Sequence, residues 1–175
     1  MNQRVGLGFD VHPFSDDVTR PLVLGGVHIP DAPGLVGHSD ADAVAHAVAD
    51  SLLGVTGLGD LGSIFPASDP AYRNADSMSL LREVAARVAA TGWAVGNVDV
   101  VIAAERPKLA PYCAAMATNV CAALAACAGI PVNRELTSEL TGEVFVSVRP
   151  KRGEGLGFVG RAEGIAVWAN AFVTR

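Results

Sequence analysis

Val5-Gly6-Leu7-Gly8-Phe9-Asp10-Val11-His12-Pro13 is the stretch from which the fold can be read. Val5, Leu7 and Phe9 alternate with small glycines as a buried strand does, so the pattern predicts an opening β-strand. Residues two apart on a strand share a face, which sets Asp10 and His12 side by side where the strand runs out. Two potential metal ligands are thereby paired. Alone, the spacing is weak, because a turn aspartate followed by an incidental loop histidine has the same letters.

A third ligand of the same kind comes from the next strongly patterned segment, His38-Ser39-Asp40-Ala41-Asp42 through Gly54. Ser39 as N-cap, Asp42 at the third helical position and Gly54 at the end predict a helix. Val44, Val48 and Leu52 form one stripe, and Asp42, His46 and Asp50 recur at i, i+4, i+8 on another. Such a polar stripe is often only a wet face. Here the residues between are small and apolar, which puts His46 in a half-buried cleft. His38 and Ser39 would sit at the positive end of this helix, where backbone N–H groups welcome an anion.

Farther out the elements follow in order. Leu22 to Pro30 reads as a glycine-centred hairpin with His28 facing outward, and Gly57 to Pro66 as a glycine-spaced loop. Ser77 caps a second helix to about Thr91, Asn97 to Ala104 is a β-branched strand, and Pro111 starts an alanine-rich third helix over Cys113 to Ile130. Gly129 to Glu143 is polar and loop-like, Val144 to Arg149 is a strand, Pro150 to Arg161 is glycine-rich and cationic, and Glu163 to Val173 is the final strand. Without repeats or an internal linker, this order predicts one α+β domain spanning 1–175, a mixed sheet with helices on one face.

Composition narrows the function. With 50% apolar and 18% charged residues the chain is globular, and a net charge of −5 argues against a general nucleic-acid binder while leaving phosphorylated metabolites open. Met1-Asn2-Gln3-Arg4 leads straight into a strand, so no signal peptide is expected, and the alanine-rich run holds Thr118 and Asn119, which suits an amphipathic helix better than a membrane span. Three cysteines, Cys113, Cys121 and Cys127, fit free thiols in a reducing cytoplasm. The high apolar content with few aromatics suggests that a partner subunit covers some apolar surface.

A catalytic zinc needs a few Asp/His ligands and an open position, and Asp10, His12 and His46 supply that set. With an anion-receptive His38-Ser39 nearby, the pattern indicates a metal beside a bound phosphate. At this point the chain resembles the 2-C-methyl-D-erythritol 2,4-cyclodiphosphate synthase family. The resemblance is carried by Gly8-Phe9-Asp10-Val11-His12, Gly37-His38-Ser39-Asp40-Ala41-Asp42 with His46, Gly59-Asp60-Leu61-Gly62 with Phe65-Pro66, Gly96-Asn97-Val98-Asp99, Pro107-Lys108, and Leu156-Gly157-Phe158-Val159-Gly160-Arg161 onward to Ala166.

The resemblance implies a ferredoxin-like subunit in a homotrimer with active sites between subunits, zinc or a similar transition metal on Asp10, His12 and His46, and conversion of 4-diphosphocytidyl-2-C-methyl-D-erythritol 2-phosphate with release of CMP. It implies that His38 and Ser39 lie by the phosphates and that Asp60, Leu61, Gly62, Phe65, Pro66 and Asp69 line the methylerythritol part. Ala104, Pro107, Lys108 and Leu109 would lie by the nucleotide. Glu154 looks like the ligand of a second, Mg2+ or Mn2+ type ion on the diphosphate, with Phe158 and Arg161 nearby. His38 would add a hydrogen bond to developing charge.

The chain departs from the family where threonines usually precede the glutamate: Lys151-Arg152-Gly153 stand ahead of Glu154. Lysine and arginine add charge and reach, so Lys151 and Arg152 are expected to replace hydroxyl contacts with ionic ones, with Arg152 assigned to the reacting phosphates. The segment Arg134 to Glu143 looks longer than usual, and Ala67 stands where an acidic residue is common. Two other functions stay open on the residues alone: a zinc phosphohydrolase giving an acyclic product, and a metal-stapled trimer that binds CDP or isoprenoid-type metabolites without turnover.

Overall fold

A computed structural model describes residues 2–128 and 144–175. The opening strand β1 (Gln3–Pro13) is an edge strand. Two short strands, β2 (Leu22–Leu24) and β3 (Val27–Ile29), form a separate hairpin turned by Gly25 and Gly26, with His28 exposed. Helices α1 (Ala43–Thr56), α2 (Leu61–Ile64) and α3 (Ser77–Ala90) precede β4 (Ala94–Ala103). Then come α4 (Cys113–Ala123), β5 (Phe145–Lys151), the single turn α5 (Gly157–Gly160) and β6 (Gly164–Thr174).

The main sheet has the order β1-β6-β4-β5; β6 is antiparallel to both β1 and β4, and β4 is parallel to β5 through the α4 crossover. It is a mixed α+β fold. The register brings the C-terminal ends of β1, β4 and β5 and the start of β6 to one end of the sheet, since Ala166 of β6 faces both Val11 and Ala103, and Ala103 faces Lys151. The loops that follow β4 and β5 leave from that end.

Helix α1 packs on β1 and β6, and α4 on β5. Val98, Val100 and Ile102 of β4 and Ile165, Val167 and Val173 of β6 point into this layer and are fully buried. The alternation in β1 runs the other way from the expectation of a buried strand. Its glycines face the helix, and Val5 (71% exposed) and Leu7 (65%) lie on the open face with Phe9, Val11 and Trp168. The reason is distance: a Cβ at Gly8 would lie 1.9 Å from the Ala47 carbonyl oxygen, and one at Gly6 would lie 2.1 Å from that of Ser51. Only glycine lets α1 lie this close, and the same approach carries His46 to Asp10.

Several element boundaries differ from expectation. Helix α1 begins at Ala43, not near Ser39, because Ala41 adopts φ 57 and Asp42 is the cap, its carboxylate accepting from the N–H groups of Val44 and Ala45. The same buried carboxylate accepts from Gly25 and Gly26, tying the hairpin turn to the helix start. The positive end of α1 is therefore satisfied by Asp42, and His38-Ser39 is a loop outside it. The helix continues past Gly54 and ends at Gly57, with φ 78. Asp76, not Ser77, caps α3. The Gly57 to Pro66 stretch contains α2, closed by a reciprocal Asp60–Ser63 capping box. A 3₁₀ turn (Ala110–Tyr112) precedes α4 after Pro107, and a second one (Ala125–Cys127) follows it. The expected Gly129 to Glu143 loop, with the longer Arg134 to Glu143 segment, lies outside the described residues. No helix among the described residues is long and apolar enough to cross a membrane.

Candidate functional site

Asp10 and His12 leave the helix-facing side of β1 at its last turn of pleat, and His46 descends from α1. Asp10 Oδ2 is 2.9 Å from His12 Nε2 and 3.0 Å from His46 Nδ1, and one donor atom from each of the three lies within 4.8 Å of the others. Their side chains are 18%, 22% and 13% exposed for His12, Asp10 and His46, so the group is recessed yet open to a ligand. Among the described residues this is the only cluster of three or more such side chains able to hold a metal.

The protonation pattern at His12 tests the fit. Its Nδ1 lies 2.6 Å from the Val36 carbonyl, an acceptor only, so Nδ1 carries the proton and Nε2 the lone pair. That Nε2 is buried and lacks a hydrogen-bond partner even though Asp10 Oδ2 is close, because the contact is misaligned. A lone pair and a carboxylate oxygen held together favour a positive charge between them, a proton in the metal-free protein or a metal ion in its place. Ligands about 2.1 Å from a tetrahedral metal are roughly 3.4 Å apart, so a shift of a few tenths of an ångström would bring both Asp10 contacts to the spacing that a divalent ion needs. The electrostatics agree. Burial pushes the Asp10 carboxyl up, but the adjacent His12 and His46 rings outweigh it and hold it far below the usual carboxylate range. Burial likewise lowers His12, and Asp10 more than reverses this, so the metal-free imidazole titrates above its ordinary value.

The remaining expected site residues fall into three groups. His38 and Ser39 lie beside the trio, but Ser39 is buried, with Oγ accepting from Ala41 N–H and 3.3 Å from His46 Nε2; His38 Nε2 is 3.3 Å from the Asp69 carbonyl. In the second group Asp50 accepts from Leu61 N–H at 2.7 Å, fixing α2 beneath the cleft, and burial raises the Asp50 pKa. Gly62 and Pro66 reach the surface of that segment, Asp69 caps the following 3₁₀ turn, and Phe65 is buried edge-on against Tyr72 as a core side chain.

The third group lies at the β4 and β5 end. Ala104 and Leu109 are buried, Pro107 follows a cis peptide bond, and Lys108 is exposed. Ala104 N–H donates to the Lys151 carbonyl at 2.9 Å. Arg152 forms an ion pair with Glu105, which also accepts from Gly153 N–H at 3.1 Å, so the two loops are joined. Arg152 holds the Glu105 carboxyl below the usual range. The guanidinium is therefore engaged by a carboxylate with which a phosphate would have to compete. Glu154 is exposed in the left-handed region (φ 51), in a loop where Gly153, Gly155 and Gly160 pack backbone to backbone, and it joins no metal cluster. Phe158 is exposed and Arg161 pairs with Glu163 at 2.7 Å.

The places of Ser77, Asp40, Val36 and Glu105 at the site were not legible in the sequence, where Ser77 reads only as a helix cap. Ser77 offered one signal, a serine directly after an aspartate that already serves as cap; Glu105 offered another, an acid at the head of the cationic Arg106-Pro107-Lys108.

Fold and site together define an α+β protein with an Asp-His-His cluster able to hold a divalent cation at one end of a mixed sheet. The chain belongs to the YgbB family, whose family model matches residues 3–174. It is 48% identical over 172 residues to 2-C-methyl-D-erythritol 2,4-cyclodiphosphate synthase of Bordetella petrii, covering 98% of this chain and 96% of the relative. Among solved structures, the bifunctional IspDF of Campylobacter jejuni superposes with TM-score 0.82 at 36% identity, covering 98% of this chain and 42% of that one. The CDP complex of IspF from Plasmodium falciparum gives TM-score 0.76 at 28% identity, over 98% of this chain and 96% of that one.

Proposed function

We propose that this protein is a phosphorus–oxygen lyase of the non-mevalonate isoprenoid route, converting 4-diphosphocytidyl-2-C-methyl-D-erythritol 2-phosphate to 2-C-methyl-D-erythritol 2,4-cyclodiphosphate and CMP. The observation that carries this is the convergence of Asp10, His12 and His46, with an unpartnered Nε2 on His12, in a chain so similar to a named synthase. The 2-phosphate is already an anion, so ring closure on the β-phosphorus needs no general base. What remains for the protein is to hold nucleophile and leaving group in line and to neutralise charge.

Zinc, or a similar transition metal, is the ion suited to the trio, and when bound it supplies the positive charge that polarises a phosphoryl group. Asp10, His12 and His46 orient that charge, while His38, in the loop before α1, would donate to the phosphates by turning its Nε2–H away from the Asp69 carbonyl. Lys108 supplies an exposed cation on the nucleotide side. Glu154 is the residue to hold a second ion, of the magnesium or manganese type, on the substrate diphosphate.

The expected ferredoxin-like order, two adjacent strands between two helices, is not the one seen, because α4 lies between β4 and β5 and the last two strands, β5 and β6, both follow it. The two sheet edges nevertheless suit a homotrimer with shared sites. β1 and β5 are opposite edges of the sheet, three strand spacings or about 14 Å apart, so the ligand trio and the strand leading to Glu154 belong to different edges of one subunit. A second copy laid against the open apolar face of β1 and β6 would complete each site and cover Val5, Leu7 and Phe9. Phosphorus NMR of the product tests the assignment: a cyclic diphosphate with CMP is expected. An acyclic phosphate would make the protein a phosphohydrolase, and intact substrate would make it a binding module.

A further inference from the structure

His46 differs from His12 in what stands behind it. Its Nδ1 faces Asp10 Oδ2 at 3.0 Å, and its Nε2 faces Ser77 Oγ at 2.9 Å, with Ser39 Oγ farther off at 3.3 Å. Ser77 is 1% exposed, so water does not compete for its hydroxyl. That hydroxyl also lies 2.5 Å from Asp40 Oδ1, while the Ser77 backbone N–H donates to Asp40 Oδ2 at 3.2 Å. The two segments are clamped by backbone as well: Asp40 N–H donates to the Ala75 carbonyl at 3.1 Å, and Asn74 N–H to that of His38 at 2.9 Å.

Ser77 Oγ also lies 3.2 Å from Ser39 Oγ, a longer contact than the one to the Asp40 carboxylate, and proton counting fixes the direction of the shorter bonds. A carboxylate only accepts, and a serine hydroxyl has one proton. Ser77 commits that proton to Asp40, so toward His46 its oxygen can only accept. Nε2 must carry the ring hydrogen, which leaves the lone pair on Nδ1, the nitrogen facing Asp10. A neutral ring free to choose would put its proton between Nδ1 and Asp10 and close the site with a hydrogen bond. We propose that Asp40 and Ser77 form a positioning relay that holds His46 in the Nε2–H tautomer, keeping Nδ1 available as a ligand before a metal arrives. The inference rests on the trio being a metal centre. Neither relay residue is placed against substrate, and both act through His46.

Zinc affinity of the full chain, measured by competition with a chromophoric chelator, tests this in the wild type, Ser77→Ala and Asp40→Asn. The ring ¹⁵N shifts of His46 are recorded alongside in the metal-free proteins, at a pH where the ring is neutral. Both variants are expected to bind zinc about 10–100-fold more weakly, as loss of an outer partner does elsewhere. The His46 proton should move from Nε2 to Nδ1 in Ser77→Ala, a signature that a purely structural role for Ser77 would not produce. The relay is overturned if the wild type binds zinc and both variants match it, or if the wild-type ring already carries its proton on Nδ1. A wild type that takes up no zinc overturns the metal centre instead. If Ser77→Ala fails to fold, Asp40→Asn, nearly isosteric, carries the comparison.

Discussion

At Asp10 two effects oppose each other: burial favours the neutral carboxyl, while His12 and His46 favour the carboxylate and win. At His12 the balance tips the same way, and the metal-free ring keeps its proton above the ordinary 6.5. The signs follow from linkage. In the metal-free protein the His12 contribution to stability is fully present below 6.5 and is lost as pH rises through the folded value. Metal binding runs oppositely, because Nε2 must release its proton first. Zinc affinity is therefore expected to rise with pH from 6.5 upward and to level off once His12 is neutral, which a chelator competition series across neutrality measures. A flat profile over that range would contradict the assignment of His12. All three candidate ligands were legible in the sequence, since period-two spacing pairs Asp10 with His12 and a helix repeat singles out His46. Ser77 and Glu105 were not, because each acquires its meaning from partners more than thirty residues away.

Among the elements, the contact between β1 and α1 decides the site, and glycine decides the contact. Gly8→Ala would force a methyl group onto the Ala47 carbonyl, and overpacking of this kind costs about 1–3 kcal/mol or more. Gly54 lies in the same helix with nothing within 4 Å of a Cβ, so Gly54→Ala is expected to stabilise by about 0.5–1 kcal/mol. Thermal melts of the two variants should shift in opposite directions, and a tolerated Gly8→Ala would show that the helix does not depend on this approach. The element types followed from periodicity and capping letters, but the caps themselves were displaced. Ser39 and Ser77 both look like N-caps in isolation, whereas Asp42 and Asp76 hold the helix starts and free the serines for His46. Local propensity ranks all four residues as good caps, so only tertiary demand separates them.

For the molecule as a whole, the order of strands and helices was enough to predict a mixed sheet with helices on one face. Which face of β1 is covered was not, because apolar letters alternating with glycine suggest that the apolar side is inward. Here it faces outward, as expected if another copy of the chain supplies its cover. Leu7→Glu should change the stability of a single subunit by no more than about 0.5 kcal/mol, since its side chain meets no helix. Sedimentation should then show a wild-type trimer and a dissociated variant with CMP formation reduced at least about tenfold, because sites shared between copies are lost. A monomeric, fully active wild type would remove the need for a partner. The metal requirement is tested most directly by following CMP release from the cytidyl substrate in magnesium-containing buffer, after the protein has been stripped with a chelator and then given zinc. Turnover abolished by stripping and restored by one equivalent of zinc per chain is the expected result, and turnover that survives complete removal of transition metal would contradict it.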